Sequence, residues 1–207
     1  QPAAELAHIG GDWYDLFELP DRSLTVVIGD VAGHDQQAAA AMAQVRNMSR
    51  GVAYTMHPDS PSRVLQALDR AMLGTGQDVV ATAVLAQVAR TDSQAPNLRW
   101  SNAGHPPPAL IEPDGRTRLL ETAPDLLLGL DAGTRRADHR ITLRPGATLV
   151  FYTDGLVERR GTPLAAGLAQ LIEVLRDRQH TAVEDLCSLL LQDVDGDDDV
   201  ALLIMRT

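Results

Sequence analysis

Apolar and polar positions change rhythm along this chain in a way that separates strands from helices. Short apolar runs rich in β-branched residues and bounded by turn residues predict strands at 16–18 and 24–28. Thr25-Val26-Val27-Ile28 follows the turn Pro20-Asp21-Arg22-Ser23. An Ala- and Met-rich stretch without proline predicts a long helix from 36 to about 54. Ser60-Pro61 opens a second helix to about 73, with Val64, Leu65, Leu68 and Met72 on one face. Further strands are expected at 79–89, 98–101, near 109–111, and at 140–143, 148–153 and 200–205, with amphipathic helices at 164–178 and 182–192. Residues 30–35, Asn102-Ala103-Gly104-His105-Pro106 and Pro113-Asp114-Gly115 read as loops or turns, and Arg144-Pro145-Gly146 as the turn of a hairpin. Strands in antiparallel-looking pairs and helices in blocks predict an α+β layered fold rather than βαβ alternation.

Composition narrows this picture. The 207 residues suit one domain over 1–207, and no composition shift marks a boundary. At 44% hydrophobic but only 3% aromatic, the core must be aliphatic. All 18 basic residues are arginines, which excludes a P-loop lysine, a Schiff-base lysine and a kinase-type phosphate lysine. A net charge of −10 argues against nucleic-acid binding and against attraction to an anionic membrane. No apolar run reaches the roughly 18 residues needed to span a bilayer, so no membrane insertion is expected of this segment. The single cysteine, Cys187, cannot form an internal disulfide and fits a reducing, cytoplasmic setting. Its place in an apolar helix pattern without a following basic loop reads as a buried core thiol rather than a nucleophile. The start at Gln1 has neither an initiator Met nor a signal-peptide pattern, and reads as a fragment of a longer chain.

The chemistry lies in the aspartates. Asp12 with Asp15, Asp30, Asp154, and the run containing Asp195, Asp197, Asp198 and Asp199 stand at strand ends or in the loops beside them. A core strand that ends in a bare carboxylate is a poor choice unless something compensates the charge, because a buried unpaired carboxylate costs several kcal/mol or shifts its pKa. Any one of these residues could cap a turn, as Asp21 and Asp114 are expected to do. As a set they suit a hard divalent cation: magnesium, manganese or calcium rather than zinc. Two cations about 3.5–4 Å apart would let so acidic a chain hold a phosphorylated substrate and activate water against it. Asp193-Val194-Asp195-Gly196-Asp197 has its glycine misplaced for a calcium loop and lacks the closing Glu. His34 and His105, in Gly-containing turns, could each serve as a proton shuttle or stabilise the turn. Met42, Met48 and Met56 read as packing, and Arg159-Arg160 as a solvated pair.

Five motifs in order carry a resemblance: Gly10-Gly11-Asp12-Trp13-Tyr14-Asp15, Gly29-Asp30-Val31-Ala32-Gly33-His34, Asn102-Ala103-Gly104-His105-Pro106, Tyr152-Thr153-Asp154-Gly155-Leu156-Val157-Glu158 and Asp198-Asp199-Val200-Ala201-Leu202-Leu203. From about 9 to 205 the chain resembles the SpoIIE/RsbU branch of the PPM (PP2C-like) serine/threonine phosphatases. The resemblance implies a PP2C-like α/β sandwich, two central antiparallel β-sheets flanked by helices, with a binuclear Mn2+ or Mg2+ centre at one edge. By position, Asp30 corresponds to the carboxylate bridging both metals, and the Val31 carbonyl to its companion ligand. Asp154 and Asp198 correspond to the other carboxylates of the first metal, with Asp199 ranked below Asp198. Asp12, with Asp15 nearby, corresponds to the acidic contribution on the second metal's side. Asp30 and Asp154 are the residues on which catalysis is expected to depend.

The same resemblance implies dephosphorylation of phosphoserine or phosphothreonine on a STAS-type anti-sigma factor antagonist, N-terminal sensor modules, a regulatory role for the helix pair after Asp35, and a homodimer as a common state of the branch. Three features depart from the family pattern. Asp35 stands where the family has Gly. The phosphate-gripping Arg of the eukaryotic members has no counterpart near Gly10. Their general-acid His sits at a different offset from the bridging aspartate than His34 does. Asp35 is the feature that favours the alternative expectation, a weakly active phosphatase-like scaffold that binds a signalling partner.

Overall fold

Among the described residues the β-rich runs form the strands β1 Asp12–Glu18, β2 Leu24–Val31, β3 Ala81–Thr91, β4 Gln94–Ala103, β5 Ala109–Ile111, β6 Thr117–Leu119, β7 His139–Thr142, β8 Thr148–Tyr152 and β9 Leu202–Arg206. The helices are α1 Gln36–Thr55, α2 Pro61–Gly74, α3 Leu164–Leu175 and α4 Val183–Leu191. The structure, a computed structural model, describes residues 10–33, 35–91, 94–123, 125–158, 161–192 and 199–207. His34, Arg159, Arg160 and residues 193–198, Asp198 included, lie outside the described residues.

Among these the strands pair antiparallel into two sheets, one ordered β1-β2-β3-β4-β7 and the other β6-β5-β8-β9. Alternation along each strand sorts side chains between layers. Val26, Ile28, Val84, Ala86, Leu98 and Trp100 of the first sheet meet Leu110, Leu149, Phe151 and Leu203 of the second in a core between the sheets. The opposite face of the first sheet, with Trp13, Phe17, Val27 and Leu85, is covered by Val45 of α1 and by Leu65, Leu68 and Met72 of α2. The outer face of the second sheet, with Ala109, Ile111, Val150 and Tyr152, is covered by Leu171 and Leu175 of α3 and by Leu186 and Leu190 of α4. The result is a helix–sheet–sheet–helix sandwich, the layered α+β fold expected from the pattern.

Three local expectations are corrected. Arg144-Pro145-Gly146 does not close a hairpin: β7 pairs with β4 in one sheet and β8 with β5 and β9 in the other, so the chain changes sheets there. Asp30 and Val31 lie inside β2 rather than in a loop, held by pairing to both β1 and β3. Cys187 is half-buried rather than in the core. Burial and the nearby Glu184 carboxylate push its thiol pKa up, which makes it a poor nucleophile.

Candidate metal centre

The site forms where the ends of β1, β2 and β8 and the start of β9 meet at one edge of the sandwich. In the antiparallel ladder Asp12 stands directly opposite Asp30. Like charges so placed repel, and a sheet selected for stability alone would avoid the pair. Asp154 joins them from the single 3-10 turn Asp154–Leu156 that follows β8. One carboxylate oxygen from each of Asp12, Asp30 and Asp154 lies within 4.8 Å of the others, and all three residues are half-buried. Asp12 is held by two donors. Its Oδ2 accepts from the Thr153 hydroxyl at 2.6 Å and from the Ala201 amide at 3.2 Å, which ties the edge of one sheet to the other. Burial pushes the Asp12 carboxyl up to about 8, with the charges of Asp30 and Asp154 adding to it, while the Thr153 hydrogen bond opposes the rise.

Glycines keep this edge open. A Cβ on Gly11 would collide with the Val31 carbonyl oxygen and would lie 2.6 Å from Asp30 Oδ1. The Val31 amide donates to the Gly11 carbonyl at 3.1 Å, holding the two chains together at the level of the carboxylates. The Asp199 side chain occupies the space that a side chain at Gly10 would fill, and a Cβ on Gly155 would strike the Asp199 carbonyl. Asp199 therefore lines the open cavity that holds Asp12 but stands outside the group of three.

Other candidates separate from the group. Asp15 lies an odd number of residues from Asp12 and so points to the opposite face of β1. It accepts from Arg50 of α1 through Nε at 2.8 Å and through a second guanidinium nitrogen. Asp35 is the N-cap of α1: its Oδ1 accepts from the amides of Gln37 at 3.0 Å and Ala38 at 2.9 Å. Its φ of −109° is open to any residue, so no glycine geometry is lost there. His105 is buried between the sheets. Its Nε2 donates to the Tyr152 carbonyl at 3.0 Å and its Nδ1 accepts from the Thr82 hydroxyl at 2.8 Å. Asn102 clamps the His105 backbone by two further hydrogen bonds of 2.8 Å. Burial lowers the His105 pKa to about 4, and both ring nitrogens are engaged, so it is a structural tie rather than a proton shuttle. Asp21 and Asp114 accept from turn amides, as expected.

Residues 20–207 match the family model described as Stage II sporulation protein E (SpoIIE). The chain belongs to this family. It is 28% identical over 91% of its length to the protein IcfG of Synechocystis, and 24% identical over 89% to the phosphoserine phosphatase RsbP of Bacillus subtilis. It spans 33% and 44% of those two proteins. The crystal structure of the RsbU and RsbW domains of Rv1364c from Mycobacterium tuberculosis superposes with a TM-score of 0.78 at 32% identity, over 99% of this chain and 57% of that one. The domain is thus of the SpoIIE/RsbU type and has the PP2C-like sandwich.

The residues present fit divalent cations. Three carboxylates converge, all hard oxygen donors, and the Val31 carbonyl oxygen lies beside them where a Cβ on Gly11 would strike it. Among the described residues no helix is long and apolar enough to cross a membrane. Sequence reasoning missed two contributors. Thr153, next to Asp154 in the fourth motif, anchors Asp12 rather than merely ending a strand. Arg46 lines the cavity one helical turn before Arg50, and that i, i+4 spacing was its only available signal.

Proposed function

We propose that this domain hydrolyses phosphoserine and phosphothreonine monoesters on a protein with the help of two divalent cations, Mn2+ or Mg2+. The convergence of Asp12, Asp30 and Asp154 at one sheet edge carries this reading. Asp30, the Val31 carbonyl, Asp154, Asp198 and Asp12 would hold the cations, with Asp199 beside them. Asp15, committed to Arg50 on the other face of β1, is left out of this set. Bound cations would supply positive charge for the phosphoryl oxygens and a water acidic enough to attack phosphorus near neutral pH.

The chain's own residues do the positioning. Thr153 and the Ala201 amide fix the Asp12 carboxylate, and the Gly155 amide donates to Asp154 Oδ1 at 3.0 Å. Pairing of β1 with β2 fixes Asp30 against Asp12. Side chains held in this way before substrate arrives need little reorganisation during the reaction. The physiological target proposed is a phosphorylated STAS-type anti-sigma factor antagonist in a partner-switching pathway of the cytoplasm. RsbP as a phosphoserine phosphatase, and the RsbU–RsbW pairing in one chain of Rv1364c, support it. The Asp35 carboxylate, the feature that favours a weakly active scaffold, caps α1, which supports the phosphatase reading.

Asp30→Ala and Asp154→Asn are each expected to lower Mn2+-dependent turnover of an aryl phosphate by at least about a thousandfold, with circular dichroism unchanged. Either variant retaining wild-type turnover would end the proposal.

A further inference from the structure

α1 runs along β1, and the contacts between them keep a register. The Tyr54 hydroxyl donates to the Glu18 carbonyl at 2.6 Å. One turn earlier, Arg50 pairs with Asp15, and its guanidinium lies 5.0 Å above the centre of the Phe17 ring. Arg46 lies one further turn toward the start of α1. Arg46 is exposed, and it lines the open cavity that also contains Gly10, Asp12, Tyr14, Met42 and Asp199. Among the described residues lining that cavity it is the one cation. Arg50 satisfies Asp15, so Asp15 does not draw Arg46 away. The Arg46 guanidinium has no hydrogen-bond or ion-pair partner among the described residues.

The electrostatics give this residue a task. The chain carries −10 and no lysine, and the cavity contains Asp12 and Asp199. A phosphate monoester dianion approaching it meets carboxylates of its own sign. A guanidinium is the group best shaped to meet two phosphoryl oxygens at once, through parallel N–H donors. Arg46 offers that fork from a helix already fixed against β1 by Arg50 and Tyr54. We propose that Arg46 binds the phosphoryl oxygens of the substrate at the mouth of the carboxylate cluster, an assignment that rests on the phosphatase reading above. It is a substrate-binding residue supplied by α1, so the position of that helix sets substrate affinity.

Arg46→Gln and Arg46→Lys, made in this 207-residue chain, test the assignment. Two measurements are compared with wild type: kcat and KM for p-nitrophenyl phosphate at saturating Mn2+, and calorimetric binding of phenylphosphonate, which cannot turn over. With Gln, KM and the phenylphosphonate Kd are both expected to rise by on the order of tenfold or more. Meanwhile kcat stays near wild type and Lys restores part of the loss. A purely structural role would not split KM from kcat in this way. Unchanged KM and Kd in Arg46→Gln overturn the proposal. So does a KM that rises only for a phosphoserine protein, which would place Arg46 against an acidic flank of the partner instead. If wild type shows no Mn2+-dependent turnover, the phosphatase reading fails on its own, and the phenylphosphonate comparison still decides Arg46.

Discussion

His105 shows how a residue in a site motif can serve the fold. Its ring bridges Thr82 of β3 and the Tyr152 carbonyl of β8, so it links the two sheets just behind Asp154. Acceptance by Nδ1 from the Thr82 hydroxyl requires the neutral ring, and burial holds the folded pKa near 4 although the Tyr152 hydrogen bond opposes the fall. The unfolded chain takes up a proton near the ordinary pH of about 6.5, whereas the folded protein does so only near 4. The stability this residue contributes is therefore present above pH 6.5 and is lost as pH falls through that window. In His105→Gln that component is absent. The gap in urea unfolding free energy between wild type and variant is expected to narrow by about 3 kcal/mol from pH 7 to pH 4. A gap that stays constant with pH would show that the ring is not held neutral.

At the scale of elements, the irregular segment 125–138 needs its own anchor, and a buried ion pair provides it. Asp69 of α2 and Arg136 have fully buried side chains, with Arg136 Nε and a terminal nitrogen at 3.0 and 2.7 Å from Asp69 Oδ2. Asp69 Oδ1 also accepts from the Gly129 amide at 3.0 Å, and Arg136 donates to the Leu126 carbonyl at 2.7 Å. Every strong group in this knot is paired, so removing one partner strands the other charge in the core. Asp69→Ala is expected to destabilise the fold by about 3–5 kcal/mol in urea titrations, whereas the double change Asp69→Leu with Arg136→Met recovers much of the loss. The same scale explains the misread hairpin. Arg144-Pro145-Gly146 has turn chemistry, and a turn does form there: the Ala147 amide donates to the Arg144 carbonyl at 2.9 Å. Which sheet the next strand joins is set by distant partners, not by the turn.

Across the whole molecule, the carboxylate edge is a seam between the sheets. Asp12 sits on one sheet and is held by Thr153 and Ala201 beside the other, while its own charge is disfavoured by burial, Asp30 and Asp154. Divalent cations bound to the folded protein alone should therefore raise the unfolding temperature, by about 2.7 kcal/mol of added stability at a hundredfold excess over Kd. In chelator, Asp12→Asn is expected to melt at or above the wild-type temperature, because the amide has no carboxylate that folding must either protonate or hold against burial and its acidic neighbours. In Mn2+ it should show a much smaller increase. Differential scanning fluorimetry with and without Mn2+ measures both. An equal Mn2+ shift in the two proteins would remove Asp12 from the metal set.

The sequence by itself determined the layered class, most strand and helix positions, and the identity of Asp12, Asp30 and Asp154. Local periodicity and turn chemistry are written in neighbouring residues, and a carboxylate at the end of an apolar run carries its own energetic signature. It left open whether those carboxylates met, because Asp12 and Asp154 come from distant parts of the chain. It also left open what each neighbour would do. Asp35 became a helix cap, Asp15 the partner of Arg50, and His105 an inter-sheet tie. Arg46 emerged as the open cation of the cavity only once α1 was laid along β1. These roles depend on which groups packing brings within hydrogen-bond distance, and that is settled only by the tertiary arrangement of the two sheets and α1.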